Sequence, residues 1–162
     1  MPRKYKSLDY LLKPDPKYND KLIGRFINSI MYQGRKSTAQ KVLYDALEIV
    51  EKKVPDSQLM DTFNKIINNV KPIMEVRSKR IGGATYQVPV EVTGKRQTRL
   101  ALKWIIEASR KKKGKPFHVR LADELLAAYK NEGDAILKRQ NVHKMAEANK
   151  AFAHFGIRRP PR

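Results

Sequence analysis

The chain contains no cysteine. That excludes a disulfide framework, thiolate chemistry and zinc knuckles, and it suits a reducing compartment. An unbroken apolar run of about 18 residues is also missing, so no membrane-spanning helix is expected. The opening residues, MPRKYKSLDYLLKPDP, lack the apolar stretch of a signal peptide, and Asp9, Asp15 and Asp20 argue against a transit peptide. The expected location is the cytoplasm, or the organelle in which the chain is made. There is no phosphate-cradling glycine loop, dinucleotide fingerprint or HExxH metal motif. The three histidines, His118, His143 and His154, are too far apart for ligand spacing and are expected at the surface or facing nucleic acid. An enzyme is therefore disfavoured, and neither cofactor nor metal is expected. Acidic residues are scarce too: 16 Asp and Glu against 35 Lys and Arg leave a net charge of +19 over 162 residues.

That excess is the dominant feature of what is present. A surface so positive repels itself and needs a polyanion, and each Lys or Arg set on a phosphate releases counterions. A membrane surface would call for one basic amphipathic helix, whereas here the charge runs the whole length of the chain. Nucleic acid is the expected partner. The length suits one domain with a real core.

Apolar spacing predicts a mainly α fold, a single bundle of about six helices. The first runs from about Asn19, as N-cap, to Gln33, with Leu22, Ile23, Phe26, Ile27, Ile30 and Met31 inward and Gly34 beyond its end. The second runs from Lys36 or Ser37 to Lys53 and buries Ala39, Val42, Leu43, Ala46, Leu47 and Val50. A third, from about Ser57, must stop before Pro72 and buries Leu59, Phe63, Ile66, Ile67 and Val70. The fourth spans about Gln97 to Lys112, with Leu100, Ala101, Trp104, Ile105 and Ala108 inward. A fifth covers 118–131, with Leu121, Leu125 and Ala128 inward. The sixth covers 134–151, with Ile136, Val142, Met145 and Ala146 as inner positions. Residues 1–18, with Pro14 and Pro16, read as a basic extended arm that orders on RNA. Residues 156–162 read as a basic tail, and 19–155 as the helical domain.

Residues 73–92 break the helical pattern. They alternate in strand fashion on both sides of Gly82-Gly83, the signature of a two-residue hairpin loop. This predicts the pairs Ile81–Ala84, Lys79–Tyr86, Arg77–Val88 and Glu75–Val90. Counting from the loop puts Val76–Pro89 at a non-hydrogen-bonded pair, where proline's missing donor costs nothing. The expected structure is a protruding two-stranded ribbon between the third and fourth helices. Arg77, Lys79 and Arg80 are expected to carry charge near its tip without supporting the core.

The candidate RNA-binding residues are the basic clusters. They are Arg3, Lys4 and Lys6 in the arm; Arg35 and Lys36; Arg77, Lys79 and Arg80; Lys95, Arg96 and Arg99; Arg110, Lys111, Lys112, Lys113 and Lys115; Lys144 and Lys150; and Arg158 and Arg159 in the tail. Their role is to hold phosphates, which positions the protein without reading bases. Specificity then rests on RNA shape and a few unstacked bases, for which Tyr5, Tyr86 and Phe155 are candidate stacking partners. Isolated cations such as Lys52 and Lys65 are expected to be solvated surface, and Trp104 to be core.

The segments NVKPIMEVRSKRIGGATYQVPVEV, FINSIMYQGRKSTAQKVLYDALEIVE and MAEANKAFAHF together resemble the bacterial-type small-subunit ribosomal protein seven family, over roughly residues 14–155. The resemblance implies a helical bundle with a protruding hairpin between helices three and four. It also implies a primary binder of the 3′ major domain of small-subunit rRNA that starts assembly of the subunit head. Further implied partners are ribosomal proteins nine and eleven, and the exit-site tRNA and mRNA, with the protein a monomer within the ribosome. The resemblance places Gly82, Gly83, Tyr86, Arg158 and Arg159 at the exit-site tRNA, and some members repress translation of their own messenger. The rival reading from composition is a DNA-binding architectural protein, which also combines helices, basic charge and a β-ribbon arm.

Overall fold

The computed structural model describes residues 11–55 and 58–156. Its elements are α1 (Lys21–Ile30), α2 (Lys36–Lys53), α3 (Leu59–Val70), β1 (Met74–Ile81), β2 (Ala84–Glu91), α4 (Gly94–Lys111), α5 (Phe117–Tyr129), α6 (Asp134–Ala148) and a terminal 3₁₀ helix (Lys150–Gly156). The fold is mainly α with one two-stranded antiparallel sheet between α3 and α4.

α5 is the central element, packed against α2, α3 and α4, while α1 lies on α2 and α4. The largest fully buried side chains are Phe26, Phe63, Ile23, Ile27, Leu43, Leu47, Ile66, Ile67, Leu102, Ile105, Leu121 and Leu125. Burying each such side chain contributes about 1.5–3 kcal/mol, so the three- and four-residue apolar spacing dictates which faces meet. Trp104 is core, as expected, at 7% exposure. Leu102 and Ile106 are buried beside the predicted face of α4, because that helix packs against α1, α3, α5 and α6 and is covered on more than one side.

Several expectations need correction. α1 stops at Ile30 with Met31 as its C-cap, short of the expected end at Gln33. The N-cap of α1 is Asp20: Asn19 adopts φ +49, while Asp20 is extended and its carboxylate accepts the N–H groups of Leu22 and Ile23. A charged cap also complements the positive end of the helix. Met145 is 49% exposed and not an inner position, since the weakly apolar α6 buries only Ala135, Ile136 and Ala146. Finally, α6 stops at Ala148 and not at 151. The chain tightens into a 3₁₀ helix, whose three-residue repeat puts Phe152 and Phe155 on one side. Both rings pack on Tyr86, at 5.3 and 5.4 Å between centroids.

Residues 13–18, read as part of the arm, are docked on the bundle. Asp15 is 2% exposed; its carboxylate accepts the Tyr44 hydroxyl at 2.7 Å and the backbone N–H groups of Lys17 and Tyr18 at 3.1 and 3.2 Å. Gly24 permits this approach, because a Cβ there would lie 2.9 Å from the Lys13 carbonyl oxygen. Residues 1–10 and 157–162 lie outside the described residues, as does the expected start of the third helix at Ser57.

The hairpin register matches the expectation pair for pair, from Ile81 with Ala84 to Glu75 with Val90 and Val76 with Pro89. Gly82 and Gly83 take φ +55 and +88, the left-handed pair that a two-residue loop needs to follow strand twist. The ribbon is not bare, however. β1 lies along α6 and the terminal 3₁₀ helix lies across β2. Val88 is 1% exposed, while Arg77, Ser78, Lys79 and Arg80 on β1 and the outer end through Gly82, Gly83, Ala84 and Thr85 are exposed.

Candidate nucleic-acid interface

At the hairpin root the basic residues are already engaged. Glu75 has a side chain only 7% exposed, and two arginines hold it. Arg77 contacts Glu75 Oε1 through Nη2 and Nε, each at 2.5 Å, and Arg96 Nε reaches both carboxylate oxygens at 2.8 and 2.7 Å. Arg77 is thus not a free surface charge: together with Arg96 it neutralises a buried carboxylate and ties β1 to the first turn of α4. Each guanidinium has five donors in a planar fork, so both can still face phosphate outward. Lys79 donates to the Phe155 carbonyl at 2.7 Å, which fastens the 3₁₀ helix to the ribbon. Arg80 lies on the opposite face and is exposed. Tyr86, half-buried, packs its ring against both phenylalanines, which also stack on each other at 6.5 Å.

From this root α4 carries a basic ridge. Lys95, Arg96, Arg99, Lys103, Arg110 and Lys111 are all exposed, over a rise of about 24 Å. Sequence reading missed Lys103, although its spacing four residues after Arg99 puts it on the same helical face. It pairs loosely with Glu107, at 3.6 Å on the surface. Arg99, Lys103 and Arg110 join Ser29 and Ile106 in lining a cleft of about 310 Å³.

The ridge ends where α4 turns into α5, and there the basic run divides by role. Arg110 Nη2 donates to the Ile30 carbonyl at 3.0 Å, satisfying an orphan acceptor at the end of α1. Lys112 Nζ lies 2.5 Å from Oε2 of Glu124, which is fully buried and accepts the Ala135 N–H at 2.9 Å through its other oxygen. Lys115 and Lys53 both reach Asp123, at 3.5 and 3.8 Å. Lys111 and Lys113 are exposed and have no carboxylate partner among the described residues. Arg35 and Lys36 start α2, which has no acidic residue in its first turn and no side-chain cap. Two cations at the positive end of a helix are unfavourable, and a bound anion relieves that. Lys144 and Lys150 are exposed on α6 and the 3₁₀ helix. Arg3, Lys4, Lys6, Tyr5, Arg158 and Arg159 lie outside the described residues.

The other singled-out residues have structural duties. His143 Nε2 accepts the Ile73 N–H at 3.1 Å, joining α6 to the hairpin root, and burial and the nearby Arg139 charge push its pKa down. His154 lies against Phe155, 3.9 Å between ring centroids. Lys65, read as plain surface, sits over the Tyr129 ring at 4.4 Å. Among the described residues no group of three His, Asp or Glu could hold a metal, and no helix is long and apolar enough to cross a membrane.

The family model for ribosomal protein S7p/S5e matches residues 2–150. The chain is similar to a protein of Fervidobacterium nodosum, 53% identical over 153 residues, spanning 94% of this chain and 98% of that one. It is similar to one of Thermotoga petrophila, 51% identical over 142 residues, spanning 88% and 91%. It is also similar to one of Pelagibacter ubique, 50% identical over 155 residues, spanning 96% and 99%. All three relatives are named small ribosomal subunit protein uS7.

Proposed function

Because the chain belongs to the ribosomal protein S7p/S5e family, whose members are structural and not catalytic, we propose that it grips the RNA of the small ribosomal subunit through the basic ridge of α4. It is a structural constituent of that subunit, associated with its rRNA. The finer reading is direct binding to the 3′ major domain of that RNA, starting assembly of the subunit head. The observation that carries it is the ridge itself: exposed cations from the hairpin root to the α4–α5 corner, with Arg35 and Lys36 beyond. A line of about 24 Å can follow an RNA backbone and meet several phosphates. Arg99, Lys103, Lys111, Lys113, Arg35 and Lys36 are the phosphate-holding residues on this reading, because internal carboxylates claim them least. Arg77, Arg96 and Lys112 position the elements that present them, while Arg110 ties α4 to the end of α1 with one donor and keeps the others for phosphate. The open hairpin tip at Gly82-Gly83 admits close approach of a second backbone, which fits contact with the exit-site tRNA.

The test is binding of the full chain to a transcript of the 3′ major domain over a salt series. Each phosphate contact contributes about −0.7 to −0.9 to the log–log slope, so a slope of several units is expected. A flat salt response, or equal affinity for random RNA at every salt concentration, refutes the reading. Duplex DNA as competitor tests the architectural alternative.

A further inference from the structure

The turn between α1 and α2 leaves one aromatic ring unused. Tyr32 is 72% exposed, the most exposed large apolar side chain among the described residues. The other described tyrosines all have a ring or a cation as partner. Tyr18 and Tyr44 meet edge-on at 5.9 Å, Tyr86 lies against Phe152 and Phe155, and Tyr129 lies beneath Lys65. Among the described residues no ring or cation covers Tyr32. Its backbone is nevertheless held. The Tyr32 carbonyl accepts the Arg35 N–H at 3.1 Å, and Gln33 and Gly34 follow at φ +51 and +75, closing a tight turn. A ring presented from a short, fixed turn loses little freedom on binding.

Tyr32 is one wall of a groove of about 270 Å³, also lined by Ile30, Val42, Phe117, Arg35 and Arg110. That is just below the roughly 300 Å³ of the smallest small-molecule sites, and it suits one planar ring system. Arg110 is fixed by its bond to the Ile30 carbonyl, which spends one of its donors. The lining therefore offers an aromatic face and apolar walls beside two cations. An apolar side chain of a protein partner would leave both arginines without a counter-charge. An unstacked nucleotide matches every group, with a π-face for the ring and phosphates for the guanidinium groups.

We propose that this groove takes one unstacked base of the subunit's RNA, stacked on Tyr32, with Arg35 and Arg110 holding the flanking phosphates. The proposal rests on the RNA-binding reading above and adds the single-nucleotide site that it lacks. It gives the protein a contact sensitive to RNA fold, since only a base freed from pairing can enter.

The experiment uses the full chain and the 3′ major domain transcript. Tyr32→Ala should weaken binding about 5- to 150-fold, the range for removing one base–aromatic stack. Its log–log salt slope should match wild type, because no charge is removed, whereas Arg35→Ala should lower the slope by about one unit. Tyr32→Phe should stay within about twofold of wild type. Tyr32→Trp should bind and show indole emission quenched by the transcript, over the constant background of core Trp104. Tyr32→Ala binding within about twofold of wild type overturns the proposal and leaves the broader RNA-binding reading standing. A Tyr32→Phe loss as large as that of Tyr32→Ala also overturns it, because it replaces stacking by a hydroxyl contact. Wild-type binding no better than to random RNA overturns both.

Discussion

Replacing Arg77 and Arg96 together by alanine should destabilise the protein through Glu75. The carboxylate is 7% exposed and both arginines neutralise it. Removing the partner of a fully buried charge costs about 3–5 kcal/mol. Here the arginine side chains are 50% and 43% exposed, so water can reach the site once they are gone and screening lowers the cost to about 2–3 kcal/mol. Either single replacement leaves one guanidinium in place and should cost about 1 kcal/mol. For a chain of this size 1 kcal/mol moves the melting temperature by roughly 2–4 °C, so the double variant should melt about 4–12 °C lower than wild type. Adding Glu75→Gln to the double variant should recover most of the loss, since an amide needs no counter-charge. Arg80→Ala, at an exposed position, should stay within about 0.5 kcal/mol, and Lys79→Ala, which loses the bond to the Phe155 carbonyl, should cost no more than about 1 kcal/mol. Calorimetry on the free chain decides it. A double variant that melts with wild type, or a loss that Glu75→Gln leaves untouched, refutes the view that these arginines support the hairpin root.

His143 accepts a backbone N–H only when neutral, and its pKa is depressed in the folded state. Its contribution to stability is therefore complete above the unfolded value of about 6.5 and is lost as pH falls through that value toward the folded one. Melting temperature should drop between pH 7.5 and 5.5 in wild type and drop less in His143→Gln; parallel profiles would contradict this. Tyr44 is pushed up to about 12 by burial and by its hydrogen bond to Asp15. Asp15→Asn should bring its phenolate titration part of the way back toward 10 and lower stability by about 1–3 kcal/mol, read by phenolate absorbance and by melting. Arg99→Ala and Lys103→Ala should each reduce the salt slope of RNA binding by about 0.7–0.9 with no shift in melting. An unchanged slope in both removes the α4 ridge from the interface.

How far each feature was legible depends on the range of the interactions that set it. The hairpin register follows from neighbours: alternation along β1 and β2, a loop that demands two positive φ angles, and the tolerance of Pro89 at one pair. The stripes of α1, α2, α3 and α5 follow from helical spacing in the same way. α6 was less legible because its apolar positions are few, so Met145 could not be told from a core residue until the packing of α6 was known.

The residues quoted from the chain were enough to point to the family, the class of partner and the basic clusters, because charge, period and motif are properties of the linear chain. Which cations are spoken for was a tertiary matter. Arg77 and Arg96 are 19 positions apart in the chain yet share one carboxylate, and Lys112 meets the fully buried Glu124 across the α4–α5 corner. Charge counting treats all these cations alike; only the fold brings an acidic residue to some and leaves Lys111 and Lys113 facing outward. The Tyr32 groove is a tertiary product as well, since α1, α2, α4 and α5 each supply part of its lining and no local spacing predicts where four chain segments converge.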